Sequence, residues 1–307
     1  MLNNDCPATS IHYPLSTIHS AVNCLASPAV VVTGSSTGIG AGCALELDSR
    51  GFRVFAGVRS EADGQRLQAR ASQAISPLLI DVTNAQSSER AARSVADAVG
   101  RAGLAGLVNN AGIVVAGPLE ILPLDQLRQQ LEVNVVGQIA VTQAFLPLLR
   151  AARGRIVNVG SVNGSLAPPY LGPYAASKFA LEALSDALRT ELRTWGITVS
   201  LIEPGAVDTP IWEKAFAAAD QLAQHVPPEA LKLYEADLAA MRAATRRLAH
   251  GAMPVQKVVR AVLHALTAKR PRTRYYINLQ TQLLFGPFKL LPDRIRDWFI
   301  RRGIGLR

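Results

Sequence analysis

Cysteine is scarce. The chain has 307 residues and three cysteines, Cys6, Cys24 and Cys43. So small and odd a count excludes a disulfide framework, and none of the three has metal-ligand spacing. Reduced thiols in a cytoplasmic setting are expected, and no metal. Long apolar runs are also missing. About 18 consecutive apolar residues are needed for a membrane-spanning helix, and no stretch reaches that, so none is expected. Residues 1–27 lack a basic run ahead of an apolar one, which argues against a secretory signal. They mix Asn, Ser, Thr, Pro and His without period. They read as a poorly ordered extension or as a start site placed too far upstream. Neither helix-turn-helix nor zinc spacing occurs, so nucleic acid is not an expected partner. No repeat or low-complexity tract interrupts the chain. What remains is 49% hydrophobic and 18% charged, enough for one large core or at most two domains.

The formal net charge of +9 is uneven. From Met241 onward there are fifteen Lys and Arg against two acids, a balance of +13, leaving about −4 for the rest. Basicity confined to one end marks a solvated face or an anionic partner.

Short β-branched runs alternate with longer amphipathic stretches. Residues 29–33, 53–58, 76–82, 106–110, 155–160, 197–204 and 274–279 read as strands, and 39–50, 61–71, 84–101, 123–151, 173–194 and 254–268 as helices. Near-continuous apolar strands alternating with helices predict an α/β fold. The expectation is a doubly wound, Rossmann-type, mostly parallel seven-stranded sheet with helices on both faces. Residues 210–253 break the rhythm, being helical in composition without a strand. They predict a helical substrate-lid insertion beyond the carboxyl end of a strand. The domain boundaries are therefore placed at 28–280, with a basic amphipathic tail at 281–307.

Directly after the first strand comes "TGSSTGIG", residues 33–40. A glycine turn between a buried strand and a helix brings backbone N–H groups up to a pyrophosphate, and the helix N-terminus adds partial positive charge. Gly34 makes the turn, Gly38 allows close approach, and Gly40 lets helix and strand pack. Ser35, Ser36 and Ile39 complete the candidate turn. Where a dinucleotide fingerprint expects an acid at the end of the second strand, this chain has Val58 and then Arg59. A guanidinium fork suits a 2′-phosphate, so NADP(H) is favoured, with NAD(H) open because Glu61 is close. Ser35 or Ser36 is expected to help hold that phosphate.

Six motifs then fall in order: "TGSSTGIG", "NNAG" (109–112), "LEVNVVG" (131–137), "VGSVNG" (159–164), "YAASK" (174–178) and "EPGAVDTP" (203–210). Each is weak alone. Together they closely resemble the short-chain dehydrogenase/reductases over about residues 28–280, in the single-domain branch, with a weaker look of hydroxysteroid and retinol dehydrogenase relatives. The resemblance implies an oxidoreductase acting on an alcohol or carbonyl. It also gives chemical sense to Tyr174 and Lys178, which share a helix face four residues apart. A free phenol is about one part in a thousand ionised at pH 7. A neighbouring ammonium is expected to favour the phenolate and bring the pKa down, making Tyr174 the general acid/base. Ser161 is placed to hydrogen-bond the substrate oxygen. By resemblance, Lys178 also binds the nicotinamide ribose and Asn134 holds a water of a proton relay. Asp81 and Val82 resemble adenine contacts. Asn109, Ala111 and Gly112 line the cofactor cleft. Pro204, Gly205, Val207 and Thr209 resemble the segment under the nicotinamide carboxamide.

The substrate pocket is expected from Leu166, Pro168, Pro169, Tyr170 and Leu171, with Ile211, Trp212, Phe216, Leu222, Leu231, Leu233, Tyr234 and Met241 from the insertion. That composition predicts an apolar alcohol or ketone, whether steroid, retinoid or fatty. A 3-oxoacyl-type reductase and a non-catalytic dinucleotide-sensing regulator are the alternatives; intact Ser161, Tyr174 and Lys178 weigh against the regulator. The tail mixes Leu, Phe, Trp and Ile with Arg. It could lie on an anionic bilayer, cap the pocket or pack on a neighbouring subunit, and packing in protein is favoured. By resemblance, the long helices pair across a two-fold axis in a homodimer or homotetramer.

Overall fold

Strand β1 (Ala29–Val32) sends its side chains alternately to two cores. Val30 and Val32 join one apolar cluster, Ala29 and Val31 the other. A strand apolar on both faces must be covered on both. The computed structural model, which describes residues 27–277 and 291–306, shows how the chain supplies that cover. Most of the extension 1–27, with Cys6 and Cys24, lies outside the described residues, as does 278–290 of the seventh strand and tail. Cys43 is a buried free thiol, pushed up to about 12 chiefly by burial, and behaves as a small apolar core residue.

After β1 come α1 (Gly38–Ser49), β2 (Arg53–Val58), α2 (Glu61–Gln68), β3 (Ile75–Leu79), α3 (Ala85–Val99) and β4 (Gly106–Asn109). Then follow α4 (Leu124–Leu131), α5 (Gly137–Ala152), β5 (Arg155–Val159), α6 (Gly172–Glu191) and β6 (Thr198–Glu203). The insertion is α7 (Ile211–Ala223), α8 (Pro228–Lys232) and α9 (Glu235–His250), after which α10 (Val255–Thr267), β7 (Arg274–Tyr276) and α11 (Asp293–Ile304) complete the described chain. The seven strands form one sheet in the order β3-β2-β1-β4-β5-β6-β7. Every pairing is parallel, where a mostly parallel sheet was expected. Leu47 of α1 and Val258 and Val262 of α10 cover one face; Val95 of α3 and Phe145 and Leu149 of α5 cover the other. The strand order reverses between β1 and β4, so the loops leaving β1, β4, β5 and β6 converge beyond one end of the sheet.

Three expectations change. The helix expected over 123–151 is α4 and α5 joined by a π-helical turn, Glu132–Val136, with Asn134 inside it. Such a wide turn re-aims side chains and is common at functional sites. Taken as one stretch, Leu124–Ala152 is long and apolar enough to cross a membrane, with mean hydropathy 1.4. No such helix was expected; here the apolar side of the stretch serves the sheet, with Val141, Phe145 and Leu149 fully buried against it. Strand β3 ends at Leu79, so Asp81 belongs to the following loop. The insertion itself is all helical among the described residues, and it closes where Met253 bridges Val207 in parallel.

Candidate functional site

Gly34 and Gly38 carry positive φ angles of 66° and 58°, which only glycine adopts without strain. A Cβ on Gly34 would sit 2.9 Å from the Ala111 backbone, and one on Gly40 only 2.2 Å from the Gly34 carbonyl. The turn is thus clamped between β4 and α1. Thr33 and Asn110 do the clamping. Thr33 Oγ1 accepts from the Asn110 and Ala111 N–H groups, and Asn110 Nδ2 donates to the carbonyls of Thr33 and Gly34. At the start of α1 the Thr37 side chain makes no capping bond. The first N–H groups of the helix are therefore left uncapped by that side chain, an arrangement that accepts an anion. Ser36 is half-buried there. Ser35 is turned inward, fully buried, its hydroxyl donating to the Val32 carbonyl. That removes its hydroxyl from the two offered for a 2′-phosphate.

Arg59 is exposed directly after β2, and among the described residues it forms no ion pair. Glu61 is exposed in the first turn of α2. Asp81 is exposed but spends Oδ1 on the N–H and hydroxyl of Thr83, closing a local turn, while Val82 is buried beside it. Asn109 departs from its expected place. It is buried below the cleft, donating to Thr142 and Asn158 and so tying β4 to α5 and β5. Its neighbour Asn110 lines the cleft instead, with Gly112.

Asn134 is fully buried. It accepts from the Ile113 N–H at 2.9 Å and donates to the Ile113 carbonyl and to Ser177 Oγ. Gln130, one turn earlier, repeats the pattern on Val115 and Ile113. Together they hold the irregular strip after β4 as a strand would. Gln130 and Ser177 were not expected to matter. Their signal in the sequence was position alone: Gln130 shares a helix face with Asn134, and Ser177 lies within "YAASK".

Ser161 begins the turn after β5, and the Val162 N–H donates to the Pro204 carbonyl, fastening this loop to the 204–210 segment. Trp212 Nε1 and Met253 secure that segment through Val207, and Thr209 packs within 3.1 Å of where a Gly38 side chain would start. Ser161 Oγ accepts from the Asn163 N–H at 3.2 Å, and its hydroxyl stands beside the Tyr174 phenol. Lys178 is buried one turn along α6, donating to the Val159 carbonyl at 2.8 Å, its Nζ 5.8 Å from the Tyr174 ring centroid. Burial pushes the Tyr174 phenol up from its ordinary value, against a smaller downward pull from Ser161. Burial also brings the Lys178 ammonium down to about 8. The expectation that Lys178 would lower the phenol is thus corrected. Both groups are desolvated, which disfavours either charge, and the ammonium is directed at a backbone carbonyl.

Tyr174, Ser161, Lys178 and Asn134 lie on the wall of a cavity of about 800 Å³, together with Ile39, Pro204, Gly205, Val207 and Thr209. The remaining wall is mostly apolar. Leu166, Pro168, Tyr170, Leu171, Ile211, Trp212, Phe216, Leu222, Leu231 and Met241 line it as expected; Pro169, Leu233 and Tyr234 do not. Leu233 points to solvent at 76% exposure, and the Tyr234 hydroxyl reaches across to the Glu120 carboxylate. Phe299, Ile300, Gly303 and Ile304 of α11 also line the cavity. Of the three readings of the tail, its last helix therefore caps the pocket.

Comparison with known proteins follows the same lines. Residues 28–220 match the short chain dehydrogenase family. The mouse (Mus musculus) protein retinol dehydrogenase 5 is 39% identical, the match covering 89% of each chain. An NADPH-dependent 3-dehydrocapnine reductase from Ornithobacterium rhinotracheale is 35% identical over 87% of this chain and 94% of its own. Among solved structures, a short chain dehydrogenase from Burkholderia cenocepacia in complex with NADP superimposes with a TM-score of 0.66 at 27% identity, covering 91% of this chain and 98% of that one. The chain belongs to the short-chain dehydrogenase/reductase family of oxidoreductases.

Proposed function

We propose that this protein interconverts an apolar alcohol and its carbonyl with NADP(H), Tyr174 giving or taking the proton. The observation that carries the reading is that Ser161, Tyr174 and Lys178 stand together on the wall of a large, mostly apolar cavity. A substrate oxygen at that wall would accept from both hydroxyls. The glycine cradle fits a dinucleotide, since a Cβ at Gly34 or Gly40 would collide with backbone. The bound nicotinamide supplies or takes the hydride. Ser36 and the N–H groups of Gly38, Ile39 and Gly40 would hold the phosphates, and Ala111, Gly112, Pro204, Gly205, Val207 and Thr209 would flank the nicotinamide half. Asp81 and Val82 would border the adenine, through backbone and apolar surface rather than the carboxylate. Ser161 stabilises charge on the oxygen, Lys178 orients the ribose, and Asn134 keeps the strip after β4 in register. The oligomer is proposed as a homodimer or homotetramer joined through the α4–α5 and α6 surface, which exposes Leu124, Val136 and Phe179.

Cofactor choice rests on Arg59. NADPH is expected to outperform NADH in kcat/KM against a panel of steroid, retinoid and aliphatic carbonyls. Arg59→Asp should lower the NADPH value by about 10–100-fold, the worth of a charge-assisted contact, while touching NADH little. Equal use of both cofactors by the wild type would sink the preference, and no turnover of any carbonyl would sink the reaction.

The two shifted groups set a pH dependence. Reduction consumes the neutral phenol, which burial preserves well past neutrality. It also uses the Lys178 cation, so reduction falls as pH rises through about 8. Oxidation needs the phenolate, so it climbs into the alkaline range above an ordinary tyrosine's pKa. Initial rates in both directions across pH check this; identical profiles would contradict the assignment.

A further inference from the structure

Charge in the cavity has one sign. Among the described residues, the only ionisable Lys, Arg, Asp or Glu side chains lining it are Lys178, Arg242 and Arg247. Lys178 is 6% exposed at the inner end beside Tyr174. Arg242 and Arg247 come from α9, at the rim, where Leu248 is 59% exposed. Arg242 pairs with Asp220, and its guanidinium lies 5.8 Å from the Phe216 ring. Arg247 is exposed and forms no ion pair among the described residues. Tyr170, another lining residue, donates to the Asp237 carboxylate of α9, just outside the lining, and also feels Arg301 of α11, which packs on α9; with Arg242, Arg246 and Arg247 against Asp220 and Asp237, cations still outnumber anions at this end. The cavity thus runs from a reactive, polar inner end, across apolar walls, to a cationic mouth.

A neutral apolar substrate has no use for that mouth. A molecule with an anion at its far end does: the charge stays at the wet rim, close to arginine, while its apolar body fills the cavity and the reacting carbon reaches Tyr174 and Ser161. We propose that the site takes an amphipathic carbonyl or alcohol whose far end carries one anionic group (a carboxylate, sulfonate or phosphate), held by Arg247 with Arg242. This rests on the reaction assigned above and narrows its substrate class.

The test compares 9-oxodecanoic acid with its methyl ester, identical but for the charge. Binding is read from tryptophan fluorescence, since Trp212 lines the cavity, at low and high salt, for the wild type, Arg247→Gln and the Arg242→Gln/Arg247→Gln double variant. The acid should bind about fivefold more tightly than the ester at low salt, an advantage that shrinks with added salt and falls toward parity in the variants. Equal binding of acid and ester by the wild type, or a ratio unchanged in both variants, overturns the proposal. So does acid–ester parity combined with arginine-dependent binding to phosphatidylserine vesicles, which would assign the arginines to a bilayer surface. Turnover of the two compounds with NADPH is followed separately. Its absence would refute the assigned reaction, while the binding ratio still decides the anion site.

Discussion

Tyr174→Phe is expected to lower kcat by about a thousandfold while leaving NADPH affinity within roughly twofold. Loss of a positioned general acid costs about 10²–10⁴ in rate, and the Ser161 hydroxyl, a far weaker acid than a phenol, can donate a hydrogen bond but not replace the proton. The ring stays, so the packing of α6 survives. What disappears is the hydroxyl beside Ser161 on the cavity wall. Ser161→Ala is expected to cost less, about a hundredfold, because it removes an oxyanion donor but leaves the proton source. Steady-state rates with NADPH, together with cofactor titration by fluorescence, separate the two effects. Normal turnover by the Tyr174→Phe variant would mean another group carries the proton. Loss of NADPH binding in that variant would mean that Tyr174 is a cofactor ligand first.

Much of this arrangement was legible in the sequence, because its determinants are local or periodic. Strands apolar on both faces announce a parallel sheet. A glycine turn directly after a strand announces a positive-φ loop, and Gly34 and Gly38 adopt one. Tyr174 and Lys178 are four apart on a helix, so their adjacency needs no tertiary information. What sequence spacing could not convey was orientation. Ser35 and Ser36 are adjacent, yet one is buried in the core and the other half-exposed. Asn109 ends β4 facing the core, while Asn110, the next residue, lines the cleft. The break between α4 and α5 was hidden because a π turn inserts no proline or glycine signal into "LEVNVVG" before its end. The sign of the Tyr174 shift was missed for a related reason: pairwise charge is visible in spacing, whereas desolvation depends on everything packed around the pair. The part played by α11 at the cavity was open because a distant amphipathic helix does not declare which surface it will cover.

Arg274→Met is expected to destabilise the fold by about 3–5 kcal/mol, the usual cost of removing one partner from a buried ionic cluster. Arg274 is on the edge strand β7, yet it gathers three acids. Its Nε and Nη2 meet Glu182 at 3.1 and 3.0 Å, Nη2 meets Asp186 at 2.7 Å, and Nε lies 3.5 Å from Glu203. Glu203, at the end of β6, is fully buried, and its carboxylate helps push the Tyr276 phenol up, after burial. Hydrogen bonding to Asp186 leads the causes that hold the guanidinium charge above its ordinary strength. Glu182 and Asp186 stand four and eight residues after Lys178, on the same face of α6, and Glu182 packs against Gly164 in the Ser161 loop. One arginine therefore fastens the helix carrying Tyr174 and Lys178 to the strand end that leads into Pro204. Removing it should lower Tm by roughly 5–8 °C in thermal unfolding. The deficit should shrink on acidification, because carboxylates stranded in the folded variant take up protons more readily than in the unfolded chain. Arg274→Lys should recover only part of the loss, since an ammonium cannot reproduce the fork that spans Glu182 and Asp186. An unchanged Tm in the methionine variant would show that α6 is held by its apolar face alone.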